Sequence, residues 1–151
     1  VKTVPFTTAS DLFEAVKENA MDADALVMAA AVADYRPAVV AADKVKKKDG
    51  ELTLALERTQ DILAWVGEHK PEKLFVCGFS METKDLLQNS TAKLHKKKMD
   101  MIVANNVKVA GAGFGVDPNV VTLITKDTAE ELPLQSKDAV AMRIADAIAQ
   151  S

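Results

Sequence analysis

The stretch ADALVMAAAVAD, residues 23–34, decides the fold class, because its apolar run of residues 25–33 ends abruptly at Asp34. A segment that is apolar on both faces is typical of a strand inside a parallel sheet. KLFVCGFS (73–80) and MDMIVANN (99–106) repeat the pattern of a short apolar run followed by small or polar residues. We therefore predict three buried parallel strands.

Helical patterns alternate with these strands. Thr8 and Asp11 have the spacing of a capping box at the start of a first helix. Apolar residues one turn apart predict further helices over 61–69, 83–98 and 137–149. The alternation of strand and helix predicts an α/β sheet with right-handed crossovers.

Three other segments have strand character. ELTLALER (51–58) alternates and predicts an antiparallel or edge strand, and VVTLITKD (120–127) predicts a late strand. VKTVPF (1–6) is typical of a strand entered midway, and the chain begins with Val1 rather than methionine. We therefore expect the chain to be a fragment of a longer domain.

The composition is that of an ordinary globular domain. The 151 residues are 48% hydrophobic but only 5% aromatic, which predicts an aliphatic core. A single cysteine, Cys77, excludes an internal disulfide and a four-cysteine zinc site, and fits a reducing cytoplasm. No apolar run approaches the roughly 20 residues that span a bilayer.

Two lysine clusters stand out in a chain of net charge −3. DKVKKKDG (43–50) and KLHKKK (93–98) each contain four lysines, and Lys93 and Lys97 share one helix face. Such clusters are most often solvated surface charge. A nucleic-acid surface is a second interpretation, weakened by the acidic net charge and the absence of aromatic residues nearby. A site for a small polyanion such as a nucleoside triphosphate is the third.

Other candidate residues follow the predicted strands, where α/β sheets bind ligands. Asp34 is either a turn residue or a ligand to Mg²⁺ or a ribose hydroxyl. In TQDI (59–62), Thr59 is a candidate helix N-cap, and the same helix start could bind phosphate. GAGFG (111–115) lacks dinucleotide-binding spacing and predicts a loop, whereas Cys77 is predicted to lie in the core.

The motifs together resemble one family. AAAVADYRP (29–37), the lysine run that follows it, GFSMET (78–83) and AKLHKKKMDMIVAN (92–105) resemble the phosphopantothenoylcysteine synthetase domain of bacterial coenzyme A biosynthesis. The resemblance runs from Val1 to the end of the chain. It implies a cytoplasmic homodimer and a Rossmann-like three-layer α/β sandwich, with a mostly parallel sheet and helices on both faces. Residues 1–151 would form a single, partial synthetase domain.

The resemblance implies a ligase that joins 4′-phosphopantothenate to cysteine. The phosphopantothenate carboxylate would attack the α-phosphorus of CTP and release pyrophosphate, and the amine of cysteine would then displace CMP from the acyl cytidylate. Mg²⁺ would accompany CTP, and FMN would be present only if a decarboxylase domain is fused upstream. Neither nucleic acid nor a membrane is an expected partner. The alternative is a non-catalytic nucleotide-binding α/β domain.

The resemblance also assigns site residues. Lys44 would be the catalytic lysine, on a flap that closes over the site, and Asp34, the candidate metal ligand named above, would be a nucleotide-binding residue. The implied nucleotide-binding residues are Met28, Ala29, Ala30, Asp34, Lys44, Thr59, Gln60, Asp61, Ile62, Phe79, Lys93 and Lys97.

Two departures from the family pattern are visible. TQDI stands where the family has Asn-Pro-Asp-Ile, which removes the rigid proline but leaves the backbone amides. The family's N-terminal segment, with a Gly-Pro-Thr turn and a catalytic asparagine, has no counterpart in these residues.

Overall fold

The computed structural model describes residues 1–46, 50–82, 84–106 and 118–151. Over these ranges the elements follow the order α1 (Ala9–Asn19), β1 (Ala25–Met28), β2 (Tyr35–Pro37), β3 (Leu56–Arg58), α2 (Ile62–His69), β4 (Phe75–Glu82), α3 (Leu86–Lys96), β5 (Met101–Asn106), β6 (Pro118–Asn119), β7 (Val121–Thr125), β8 (Ala129–Glu131), β9 (Gln135–Ser136) and α4 (Lys137–Ala149).

The main sheet has five strands in the order β1-β4-β5-β7-β8. β1, β4 and β5 are parallel, whereas β7 and β8 run antiparallel to their neighbours. The predicted α/β class with a mainly parallel sheet is confirmed. All three apolar runs supply neighbouring strands, so their carboxyl ends meet at one edge.

Two core layers lie on opposite faces of this sheet. Alternate residues of a strand point to opposite faces, and neighbouring Val76 and Cys77 belong to different clusters. The layer with Val76 packs against α1, α2 and α3, and includes the fully buried Leu94. The other layer packs against α4, through residues such as Val140. This arrangement is the expected three-layer sandwich.

The start of α1 has the predicted capping box. The Thr8 hydroxyl accepts a hydrogen bond from the Asp11 N–H at 3.1 Å, and the Asp11 carboxylate accepts one from the Thr8 N–H at 2.9 Å. Backbone hydrogen bonds from Thr8 and Thr7, with the Thr8 hydroxyl, lower the pKa of Asp11. The cap fixes the start of the helix, and the helix buries Phe13 and Val16 in the core.

The prediction of one long buried strand over 25–33 was wrong in both its length and its burial. β1 ends at Met28, and Val27 is 44% exposed because β1 lies at the edge of the sheet. Residues 29–34 contain no strand, so Asp34 does not close β1. An alanine-rich run has the same apolar pattern in a strand and in a loop. Only its contacts with neighbouring segments of the fold decide which of the two conformations it adopts.

Other boundaries also differ from prediction. Residues 51–58 contribute only the short β3, which pairs with β2 in a separate antiparallel ribbon. The helix predicted from residue 83 begins at Leu86, after Asp85 in the left-handed region at φ 47°. Residues 1–6 form no strand. No helix in the described ranges is long and apolar enough to cross a membrane.

Candidate functional site

A cleft of about 390 Å³ lies at the carboxyl ends of β1 and β4. Ten of the twelve residues implied as nucleotide-binding line it: Met28, Ala30, Asp34, Thr59, Gln60, Asp61, Ile62, Phe79, Lys93 and Lys97. These residues come from four separate parts of the chain. The volume falls in the range of small-molecule sites, roughly 300–1,000 Å³.

The apolar part of the cleft comes from the two strands. Met28 is buried at the end of β1, and Phe79 on β4 remains 39% exposed, so its ring is available to a ligand. Next to it, the Ser80 hydroxyl lies 2.8 Å from the hydroxyl of the fully buried Ser90 on α3. This hydrogen bond joins β4 to the helix that carries the cleft lysines.

Thr59 is not the N-cap of α2, contrary to prediction. Its hydroxyl donates to the Ala33 carbonyl at 2.6 Å, and its N–H donates to the Asp34 carbonyl at 3.0 Å. These two hydrogen bonds extend the pairing of the β2–β3 ribbon as far as the cleft. They also join two segments that line the cleft, residues 33–34 and residue 59. Thr59 therefore helps to shape the site through its backbone and hydroxyl contacts rather than by capping the helix.

Asp61 is the N-cap instead. Its carboxylate accepts a hydrogen bond from the Ala64 N–H at 3.1 Å and another from the Lys97 ammonium at 2.9 Å. A helix start attracts negative charge because its first N–H groups lack acceptors within the helix. The protein's own carboxylate thus already occupies part of the predicted anion site.

The surroundings of Asp61 hold its carboxyl group ionised. Partial burial would raise the pKa of Asp61, but the hydrogen bonds from Lys97 and the Ala64 N–H, with the charges of Lys97 and Lys96, lower it overall. The negative charge at this wall of the cleft therefore persists to unusually low pH.

The second cleft lysine is also paired. Lys93 donates to the Glu82 carboxylate at 2.6 Å, and Glu82 lies at the end of β4. Lys93 and Lys97 share one face of the α3 segment, as predicted, but their carboxylate partners lie on different elements, the end of β4 and the start of α2. With Asp34, Asp61 and Glu82 as carboxylates, these five side chains carry one net negative charge.

Two predicted residues are not among those lining the cleft. Ala29 is exposed in the loop after β1, and Lys44 is exposed on the segment beyond the ribbon. Lys47 and Lys48 of the same lysine run lie outside the described residues, as does the glycine-rich stretch 111–115. The role of Lys44 therefore remains a prediction.

Three nearby residues were given no individual role by the sequence reasoning, although Ser80 and Glu82 lie in the strand-end stretch 78–82 where it expected a ligand. Glu82 and Ser80 follow the apolar core of β4, and strand-end position was their only signal. Arg58 ends β3 directly before Thr59, and its pairing with Tyr35 depends on the ribbon register. Cys77 is buried as predicted, and burial raises the pKa of its thiol to about 12, so it is a poor nucleophile.

Two further observations bear on ligands. No group of three or more His, Cys, Asp or Glu side chains that could hold a metal occurs in the described ranges. A second cleft, of about 460 Å³, lies beside the start of α3 and β8, but none of the predicted site residues line it.

Comparison with known proteins identifies relatives over the whole chain. Residues 1–151 match the family model described as DNA/pantothenate metabolism flavoprotein C-terminal domain. The coenzyme A biosynthesis bifunctional protein CoaBC of Bacillus subtilis is 46% identical over 147 residues, covering 97% of this chain and 36% of that protein. CoaBC of Escherichia coli K12 is 34% identical, covering 98% of this chain and 37% of that protein. The chain thus spans little more than a third of these relatives.

Solved structures agree with the sequence relatives. A crystal structure of the C-terminal domain of CoaBC is 41% identical, with a TM-score of 0.79, and the match covers 99% of this chain and 67% of that one. A Cab2 mutant in complex with phosphopantothenate-cysteine has a TM-score of 0.76 at 21% identity, covering 97% of this chain and 51% of that one. That second likeness shows the fold alone.

Proposed function

The chain belongs to the DNA/pantothenate metabolism flavoprotein C-terminal domain family, and from this premise we propose that it is the ligase part of a coenzyme A biosynthesis enzyme. It joins 4′-phosphopantothenate to cysteine at the expense of CTP. The observation that carries the proposal is the cleft, which gathers ten residues from four separate parts of the chain, including two lysines and a helix start.

The first step forms a mixed anhydride. The carboxylate of 4′-phosphopantothenate attacks the α-phosphorus of CTP, the bond to the β-phosphate breaks, and pyrophosphate leaves. Catalysis of such a transfer consists mainly of positioning and charge neutralisation. Lys93 and Lys97, both lining the cleft, are suited to neutralise phosphate oxygens once a ligand competes with their carboxylate partners.

The second step forms the amide. The amine of cysteine attacks the activated carbonyl, CMP leaves, and the amine loses a proton. The anhydride must be shielded from water until cysteine arrives. Lys44, on an exposed segment beyond the ribbon, is proposed to close over the cleft and contact the reacting phosphate or carbonyl.

Mg²⁺ fits the donors at the cleft. This ion usually takes one or two carboxylates together with phosphate oxygens and water, so it does not need a cage of three protein ligands. Asp34 lines the cleft and offers a carboxylate. A bound Mg²⁺ would supply positive charge to the triphosphate. FMN belongs to this proposal only if a decarboxylase domain is fused upstream.

The test uses the natural polypeptide that carries these 151 residues. Given CTP, 4′-phosphopantothenate and Mg²⁺, we expect pyrophosphate release, followed by 4′-phosphopantothenoylcysteine when cysteine is added. Parallel reactions with ATP test the nucleotide preference. Lys44→Gln should lower turnover at least about 100-fold, and Lys48→Gln, in the same lysine run, should lower it far less. Equal, small effects would remove Lys44 from the mechanism.

The alternative is a nucleotide-binding domain without catalysis. Saturable binding of CTP without pyrophosphate release under any of these conditions would establish that alternative and reject the ligase. A cytoplasmic location and a homodimer complete the proposal. The location is supported by the coenzyme A biosynthesis role named for the relatives and by the unpaired, buried Cys77.

A further inference from the structure

Arg58 adjoins the cleft through the backbone, because Thr59, the next residue, and Asp34, which precedes its ribbon partner Tyr35, both line the cleft. It is the last residue of β3, directly before Thr59, and it pairs across the ribbon with Tyr35, which directly follows Asp34. The guanidinium lies over the Tyr35 ring at 5.6 Å from its centroid, and Nε donates to the Tyr35 hydroxyl at 3.4 Å. Arg58 is therefore held next to the cleft by its neighbour on β2.

The contact with Tyr35 orients Arg58 but engages only one of its nitrogen atoms, Nε. The hydrogen bond of 3.4 Å is long for an N–H donor, and a cation–π contact at an exposed site is weak. A guanidinium stacks through its face while its edge donates elsewhere. Only Nε is engaged among the described residues, so the two terminal nitrogens keep their donors.

The positive charge of Arg58 also has no ion-pair partner among the described residues. The cleft lysines Lys93 and Lys97 each have a carboxylate partner, and so does Arg36 on the same ribbon, which pairs with Glu57 at 2.7 Å. Arg58 forms no ion pair within 4 Å in the part of the chain that the structure describes. The hydrogen bond and charge of Tyr35 raise the pKa of Arg58, with smaller contributions from Asp34 and Asp61.

A polyanionic ligand that enters this cleft needs a cation that is not already paired with a carboxylate. The five charged side chains considered above carry one net negative charge, and two of the carboxylates already hold the lysines. A phosphate would have to displace a carboxylate to reach Lys93 or Lys97, but it could meet Arg58 directly. Two parallel N–H donors match two phosphate oxygens.

We propose that Arg58 is a binding residue that holds a substrate phosphate at the rim of the cleft through its two terminal nitrogens. This inference rests on the proposed function, because its two candidate sources of phosphate, CTP and 4′-phosphopantothenate, are the proposed substrates. Tyr35 acts as the positioning residue that holds the guanidinium in place through its ring and hydroxyl.

The experiment measures the dissociation constants of CTP, CMP, 4′-phosphopantothenate and pantothenate by calorimetry, at fixed ionic strength, on the natural polypeptide. The variants are Arg58→Gln, Arg58→Lys and the matched control Arg36→Gln, which removes one positive charge from the same ribbon. Loss of a charge-assisted bidentate contact should weaken binding about 10- to 100-fold in Arg58→Gln. Arg58→Lys should recover part of this loss, and Arg36→Gln should bind as the wild type does.

The ligand that responds identifies the source of the phosphate. A loss for CTP with little change for CMP assigns Arg58 to the terminal phosphates of the nucleotide. A loss for 4′-phosphopantothenate with little change for pantothenate assigns it to that substrate. Unchanged binding of all ligands in Arg58→Gln would overturn this inference while leaving the ligase intact.

Two other outcomes would also count against the proposed phosphate-binding role of Arg58. Equal losses in Arg58→Gln and Arg36→Gln would mean that the ribbon acts only as a scaffold, and would reject a direct contact. Wild-type protein that binds neither CTP nor 4′-phosphopantothenate would reject both this inference and the proposed function.

Discussion

At the scale of single residues, Asp61 has two competing roles. It caps α2 and holds Lys97, yet it lies where a phosphate would gain most from the helix start. A neutral cap such as threonine would leave the site more positive. The carboxylate instead keeps Lys97 in place when no ligand is bound, and an incoming phosphate has to compete with it for the ammonium group.

A pH-dependent effect on stability follows from this pair. Asp61 has a lowered pKa in the folded state, so its contribution is full above the unfolded pKa of about 4 and is lost as the pH falls through the folded pKa. Lys97→Gln should raise the pKa of Asp61. It should also reduce the free energy of unfolding at pH 7 by less than about 1 kcal/mol, because the pair is partly exposed.

Two measurements check this prediction. Carboxyl carbon NMR gives the pKa of Asp61 in both proteins, and urea unfolding at pH 7 and near pH 2 gives the stability difference, which should vanish at the lower pH. Lys126→Gln removes a lysine 3.9 Å from Asp100, on another part of the surface, and serves as the charge control. An Asp61 pKa that does not move in Lys97→Gln would contradict the assigned cause.

At the scale of elements, the site depends on how closely α2 approaches the end of α3. Gly67 is buried on α2, and a Cβ atom placed there would lie 1.9 Å from the Lys97 carbonyl oxygen. Real Cβ atoms do not approach a backbone oxygen so closely, so any side chain at this position pushes the helices apart. The close approach brings Asp61 and Lys97 into contact from two different helices.

Gly67→Ala is therefore expected to destabilise the protein. Alanine favours a helix over glycine by about 1 kcal/mol, but overpacking against a rigid backbone costs about 1–3 kcal/mol and is expected to prevail here. Thermal and urea unfolding measure the change, and Glu68→Ala, an exposed replacement one position along, should alter stability by no more than about 0.5 kcal/mol. A Gly67→Ala protein more stable than the wild type would show that the helices separate freely.

At the scale of the whole molecule, the ribbon and the chain next to it, at 39–40 and 52–54, carry apolar side chains that the single chain leaves exposed. Val39 and Val40 are 78% and 86% exposed, and Leu52, Leu54 and Leu56 are 83%, 62% and 54% exposed. Exposed apolar side chains concentrated in one part of the chain are typical of an interaction site. It supports the proposal that two copies of the chain associate through the ribbon.

Association can be tested with a double replacement. Sedimentation velocity should give twice the mass of one chain for the wild type, and Leu52→Ser with Leu54→Ser should shift the protein toward monomer. Burial of a leucine is worth about 1.5–3 kcal/mol, so the dimer dissociation constant should rise at least about 100-fold. Met142→Ser, at an exposed apolar residue on α4, should stay dimeric. A monomeric wild type at micromolar concentration would reject the homodimer.

The sequence alone determined the class of fold and singled out ten residues that the fold gathers in one cleft. Three apolar runs of similar length are enough to predict neighbouring parallel strands, because burial on both faces demands apolar residues throughout. The capping box at Thr8 and the helix over 137–149 depend on local spacing, and both were predicted correctly. The cleft residues were predicted because they follow strands and because their motifs resemble one family.

Only the tertiary structure decided which contacts form between segments that are distant along the chain. Thr59 loses its predicted capping role because Ala33 and Asp34, far away along the chain, bind it. Val27 of β1 is exposed because β1 ends the sheet, and no local pattern distinguishes an edge strand from a central one. Glu82 and Asp61 meet their lysines across the cleft, and Arg58 meets Tyr35 through the ribbon register. Local sequence sets which conformations a segment favours, but charge pairing and edge exposure depend on neighbours that only folding brings together.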